Sequence, residues 1–298
     1  MSRIARIKPT GDRQTYFAMN TTVRELPLFQ DEKTRSWIYD EILAFASIYC
    51  IELHALSILE NRYLMVLTAP CDSLSKNEVK RRFEQAQQRY RHPKRWGDWF
   101  MDEWGKRLND LSGFMRDVSL SVGRYINKRD QVKGRIWGDR FKSTLLDQGV
   151  ALLMCMTHVA MSPMHDDAER SVVDYPCSFV GRMRHALSTG IAIPALGGLP
   201  GSSEDRLTWF RQFAEHLQTG PTDLDDLQTA FPYLEPKLFH EWVTKRQDWI
   251  YRSLVLGSES YCSEMIDRHK LQSPGLNRPY SLGNGLFNAH IRAGKSRR

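Results

Sequence analysis

Apolar and polar residues follow two rhythms along the chain. "TYFAMNTTV" (15–23) is rich in Thr, Val and aromatic residues, which predicts a strand. Acidic residues at Asp31 and Glu32 then precede Trp37, Ile38, Ile42, Phe45 and Ile48 at helical spacing, so a helix begins near Asp31. "IELHALSIL" (51–59) and "RYLMVLTAP" (62–70) read as strands joined at Glu60–Asn61, with Pro70 ending the second. A helix is expected from Lys76 to Arg91, broken by "HPKRWGDW". Another is expected from about Lys106 to Lys128, with Leu108, Leu111, Met115, Val118, Val122 and Ile126 as its apolar stripe. "GRIWGDRFKSTLLD" (134–147) is punctuated by Gly and β-like, and "GVALLMCMTHVAM" (149–161) is helical until Pro163.

The order β-α-β-β-α-α-β-α predicts an α+β fold. It implies a ferredoxin-like antiparallel sheet with packed helices over residues 1–190. The Gly-, Pro- and Ser-rich stretch 191–205 reads as a linker. Residues 206–298 read as a helical C-terminal extension, with helices at Arg206–Gln218, Asp223–Ala230 and Pro236 to about Lys270.

At 298 residues and 41% hydrophobic, the chain has enough apolar mass for real cores. No apolar stretch approaches a membrane span, and the first ten residues lack the apolar core of a signal peptide. Cys50, Cys71, Cys155, Cys177 and Cys262 are scattered without a CxxC pair, which fits reduced thiols in a cytoplasmic protein.

Net charge is +7. Its distribution says more than its sum. Arg124, Lys128, Arg129, Lys133, Arg135, Arg140 and Lys142 crowd one segment around Trp137. Lys76 to Arg107 is also cation-rich, with Trp96, Trp99, Phe100 and Trp104 interleaved. Cations neutralise phosphates and flat rings stack bases, so the pattern points to nucleic acid. A solvated helix face over a tryptophan-rich core is the competing reading.

Four ordered blocks, "LSILENRYLMVL", "LSGFMRDVSLSVGRYINKRDQVKGRIWGDRFKS", "ALLMCMTHVAMSPM" and "LVLGSESYCSEMI", carry a resemblance. Together they resemble the single-tyrosine HUH transposases, specifically the REP-associated tyrosine transposase group. "LSILENRYLMVL" falls where that family has a strand pair ending in Asn-His-x-His. "LSGFMRDVSLSVGRYINKRDQVKGRIWGDRFKS" is similar to its helix followed by Gly-x-x-Trp and Arg-Phe-Lys-Ser. "ALLMCMTHVAMSPM" is similar to its catalytic helix, and "LVLGSESYCSEMI" (254–266) to a block in longer members. The resemblance covers about 15–185 well and the remainder loosely. It implies DNA as partner, single-stranded or hairpin, and a homodimer formed through the sheet. It also implies metal-dependent strand cleavage and joining with Mg or Mn, through a 5′-phosphotyrosine link.

Residue by residue, that machinery is replaced. Asn61 matches, but the histidine positions hold Arg62 and Leu64. The nucleophile position holds His158, and the polar position one turn on holds Ser162, with Pro163 keeping the register. Leu64 has no donor atom, and Arg62 is cationic at all working pH. The expectation is therefore a DNA-binding protein without cleavage activity and without a metal cofactor. Two alternatives stay open: an active transposase or nuclease using displaced residues, and an interaction module that has lost DNA binding. Residues that could restore chemistry are His54, His158 with Cys155, Tyr63 and Tyr125. For each, a buried packing role is the competing reading. The expected DNA contacts are Arg124, Lys128, Arg129, Lys133, Arg135, Arg140 and Lys142, with Trp137 stacking a base or anchoring its loop.

Overall fold

The computed structural model describes residues 13–69, 74–89, 97, 101–185, 187–194, 202–219, 235–244, 249–268, 279–283 and 285–290. Trp96, Trp99, Phe100 and the helix expected at Asp223–Ala230 lie outside the described residues. The fold is α+β. Strands β1 (Gln14–Thr21), β2 (Glu52–Ile58), β3 (Arg62–Ala69) and β4 (Lys142–Leu146) pair antiparallel in the order β2-β3-β1-β4. Helix α1 (Glu32–Ile48) connects β1 to β2, and α2 (Lys76–Gln87), α3 (Met101–Leu108) and α4 (Leu111–Arg129) connect β3 to β4. Asp31 caps α1 by accepting from Thr34 N at 2.7 Å.

The helix expected from Lys76 to Arg91 ends at Gln87, and the β-like stretch 134–147 is a strand only over Lys142–Leu146. Three larger changes each have a local reason. The helix expected from Lys106 to Lys128 is two helices, because Asp110 accepts from the amides of Ser112 and Gly113 and starts α4 afresh. The helix expected to stop at Pro163 runs on as α5 (Val150–Asp166). Proline removes the donor that would serve the carbonyl four residues earlier. That carbonyl, Val159 O, instead accepts from Ser57 Oγ at 2.8 Å and Ser162 Oγ at 2.7 Å.

The third change is at the C-terminal end. The single helix expected from Pro236 to about Lys270 does not form. Helix α8 (Pro236–Thr244) is followed by a 3₁₀ turn at Ile250–Arg252, strand β5 (Ser253–Gly257) and helix α9 (Glu259–Arg268). "LVLG" is short, apolar and ended by glycine, so a strand competes successfully with helical spacing there. Strand β5 pairs parallel to β4, and β6 (Tyr280–Gly283) and β7 (Leu286–His290) extend the sheet to seven strands. Helices α6 (Phe179–Arg184) and α7 (Ser203–Thr219) lie between. The outer edge of β2 is covered: Ile58 N donates to Cys177 O and Ala192 N to Leu53 O, each at 2.9 Å. Among the described residues, no helix is long and apolar enough to cross a membrane.

Register decides which face each functional position occupies. Phe17, Met19 and Thr21 of β1 lie opposite Val66, Leu64 and Arg62 of β3, and Met19 opposite Lys142 of β4. Directly opposed residues share a face. This face is covered by α5, where His158 meets the Phe17 ring edge-on at 6.3 Å between centroids. The other face carries Asn20 and Tyr63, and both reach Ser119 of α4.

Candidate nucleic-acid interface

Asn61, in the β2–β3 connection, and Arg62, at the start of β3, sit at the edge of the α5-covered face. Arg62 is 5% exposed. Its guanidinium donates to Asn61 Oδ1 at 2.9 Å and pairs with Asp166 in the last turn of α5. Its Nε is buried without a hydrogen-bond partner among the described residues. Leu64, on the same face, is fully buried in the core. Asn61 itself donates to Glu25 O at 3.2 Å and so holds the turn after β1.

On α5, His158 is fully buried, and its Nε2 lies 2.7 Å from the Tyr251 hydroxyl. The His165 ring lies 4.8 Å from the His158 ring. Ser162 Oγ is turned back to donate to Val159 O at 2.7 Å. Cys155 lies in the core, and burial pushes its thiol well above the ordinary range. Among the described residues, no group of three or more His, Cys, Asp and Glu side chains is arranged to hold a metal ion.

The remaining reactive side chains are committed to structure. His54 Nδ1 lies 2.7 Å from Ala192 O, so that nitrogen carries the proton and donates. Its Nε2 accepts from Thr68 Oγ1 at 2.7 Å. Burial lowers the imidazole pKa, and the Ala192 hydrogen bond partly opposes this. Tyr63 is fully buried, which pushes its phenol up to about 12 against hydrogen bonds with Ser119 and Asn20. Tyr125 stacks on Trp37 with centroids 3.9 Å apart.

Two exposed arginines of the basic segment, Arg129 and Arg135, also brace the fold. Arg129 spans from α4 to the start of α1, donating to Asp31 Oδ2 at 3.2 Å, Thr34 Oγ1 at 2.9 Å and Leu28 O at 2.9 Å. Arg135 Nε donates to Trp137 O at 2.5 Å, and the same guanidinium reaches Gly138 O. Trp137 anchors this loop: its Nε1–H donates to Ser119 O at 2.9 Å, and its ring packs edge-on against Tyr63 and Phe29. Gly138 N donates to Thr21 O at 3.0 Å, and a Cβ there would stand 3.0 Å from Thr22 O, so the approach to β1 favours glycine. Arg124, Lys128, Lys133, Arg140 and Lys142 are exposed.

Arg140 and Lys142 converge with residues from elsewhere in the chain. They line a cavity of about 360 Å³ with Met19, Asn20, Thr21, Thr22, Arg24, Glu25, Arg62, Gly138, Asp139, Tyr251 and Arg252. Arg24, Arg62, Arg140, Lys142 and Arg252 outnumber Glu25 and Asp139 on its wall. A concave surface with this excess of positive charge attracts anions. Arg24 and Glu25 adopt left-handed backbone conformations (φ 53 and 55), which turn the chain sharply along the rim.

Local charge density marks Arg140 and Lys142 in the sequence, whereas nothing local marks Arg24, Tyr251 and Arg252 as their neighbours on this wall, or Asp166 as the partner of Arg62. Arg24 sits in a turn with no motif of its own. Tyr251 and Arg252 arrive through the β4–β5 pairing, where Thr144 Oγ1 donates to Ile250 O at 3.0 Å. No local pattern announces a contact across that separation.

No family model matches the chain, and no curated protein matches it. Among solved structures, the chain is similar to that of a REP-associated tyrosine transposase bound to a REP hairpin. The identity is 16%, over 68% of this chain and 100% of that chain, with a TM-score of 0.41.

Proposed function

We propose that this protein binds DNA, single-stranded or folded into a hairpin, by holding phosphates in the basic cavity, and does not cleave it by metal-dependent tyrosine chemistry. The observation that carries the reading is the convergence of Arg24, Arg140, Lys142 and Arg252 on one concave surface, beside Arg62, whose own charge is paired with Asp166. Phosphate oxygens accept from guanidinium and ammonium donors without regard to sequence. The resemblance of the blocks around Asn61, Trp137 and Pro163 to the REP-associated transposases supports DNA as the polyanion.

A catalytic divalent ion does not fit the residues present. Leu64 offers no ligand atom, and Arg62 is engaged with Asp166. At ~4 Å the Arg62 charge would repel a divalent ion by about 2 kcal/mol even at the dielectric constant of water. A homodimer formed through the sheet would use an edge other than that of β2, which residues 177 and 192 already cover.

One observation favours a second reading, strand cleavage from a displaced residue. Tyr251 lines the cavity, with its hydroxyl 2.7 Å from His158 Nε2. An imidazole at that distance is positioned to accept a phenol proton.

The test is incubation of a labelled hairpin oligonucleotide with the protein, with and without magnesium or manganese, followed by native and denaturing gels. Retardation with an intact strand is expected. A metal-dependent nick overturns the non-cleaving part. A covalent adduct abolished by Tyr251→Phe moves the second reading ahead. Failure to retard the oligonucleotide at low salt overturns DNA binding and leaves a protein partner as the better reading.

A further inference from the structure

A second cavity, of about 280 Å³, shares Asn20, Asp139 and Arg140 with the basic one. Its chemistry differs. Trp137, Phe141 and Met115 give it apolar walls. The indole is fixed before any ligand arrives, by its hydrogen bond to Ser119 O at 2.9 Å and by edge-on packing against Tyr63 at 5.5 Å.

The second observation is at Asn20, which is 4% exposed. Its Nδ2 donates to Ser119 Oγ at 3.0 Å, while Oδ1 is buried without a hydrogen-bond partner among the described residues. A buried acceptor left unmatched is costly, and a ligand donor that reaches it recovers that cost. Apolar walls with an unmatched acceptor suit a flat, largely apolar ring carrying an amino group at its edge. Arg140 lines both cavities, so an anionic group joined to that ring would meet a cation common to the two.

We infer that the paired cavities take one unstacked nucleotide of the bound DNA, with its base against Trp137 and Phe141 and its phosphate in the basic cavity. The base carries an exocyclic amino group, as adenine, cytosine and guanine do, and this group donates to Asn20 Oδ1. The inference rests on the DNA-binding reading and adds a base-recognition site to it. Sequence preference then arises at one position of the strand, while the cations supply affinity without preference.

The experiment is an abasic scan. Hairpin DNA with a single-stranded flank is titrated into the full chain, with each flank or loop nucleotide replaced in turn by an abasic site. One position should weaken binding by about 5- to 150-fold, the span that base–aromatic stacking covers. Restoring adenine, cytosine or guanine there should recover more affinity than thymine. In Asn20→Ala the preference over thymine should vanish, and in Phe141→Ala, which leaves the buried amide in place, the abasic effect should shrink. Salt-dependent binding with no sensitive position overturns this inference and leaves DNA binding standing. A preference for thymine, or a sensitive position unchanged in both variants, also overturns it. Absence of any binding overturns the DNA reading and this inference with it.

Discussion

Arg62, at the start of β3, reaches the last turn of α5 and pairs with Asp166. This contact ties the β2–β3 hairpin to α5, and α5 continues through Pro163 far enough to supply the carboxylate. The Arg62 side chain is 6% exposed and that of Asp166 is 28% exposed, so the pair is shielded more on the cation's side. Removing one partner strands a buried charge.

Asp166→Asn should therefore destabilise the fold by about 1.5–3 kcal/mol, the range for hydrogen bonds to charged groups. Urea denaturation measures it. Arg62→Met combined with Asp166→Asn should cost less than the sum of the two single changes, because no unpaired charge remains. Additive costs would show that the pair contributes nothing specific.

His54 gives the fold a pH dependence of defined sign. Burial lowers its pKa in the folded protein below the ordinary histidine value. Its neutral ring is used on both nitrogens, by Ala192 O and Thr68 Oγ1. The unfolded chain then binds the extra proton first as pH falls. The His54 contribution is complete above the unfolded pKa of about 6.5 and is lost as pH falls from there toward the lower folded value. Melting temperatures from pH 7.5 to 5 should fall less steeply in His54→Gln than in wild type. Parallel curves would remove His54 as the source.

The α+β class was legible because the period changes cleanly between segments: Trp37, Ile38, Ile42 and Phe45 repeat as a helix does, while "RYLMVL" is short and bounded by turn residues. Helix breaks were less legible. Asp110 looks like any acid in a charged stretch until its side chain is seen to accept from Ser112 and Gly113. Continuation through Pro163 depends on Ser57, a hydroxyl from a different strand. At the site, Arg140 and Lys142 stood out through local charge density, whereas Arg129 and Arg135 share that density and serve as braces. Composition cannot separate a cation that faces a cavity from one that ties a loop, because the difference lies in partners distant in sequence. Tyr251 and Arg252 were hidden for the same reason.

Binding of a hairpin oligonucleotide across a range of salt concentrations tests the basic cavity most directly, in wild type, Arg140→Ala, Lys142→Ala and Arg129→Ala, with thermal melts alongside. Each phosphate contact releases condensed counterions. Arg140→Ala and Lys142→Ala should each reduce the slope of log K against log salt by roughly 0.7 for a single strand or 0.9 for a duplex, with melting unchanged. Arg129→Ala, whose guanidinium is held by Asp31, Thr34 and Leu28, should lower the melting temperature and leave the slope as in wild type. Unchanged affinity and slope in both Arg140→Ala and Lys142→Ala, with the fold intact, would contradict the assignment of this cavity to DNA phosphates.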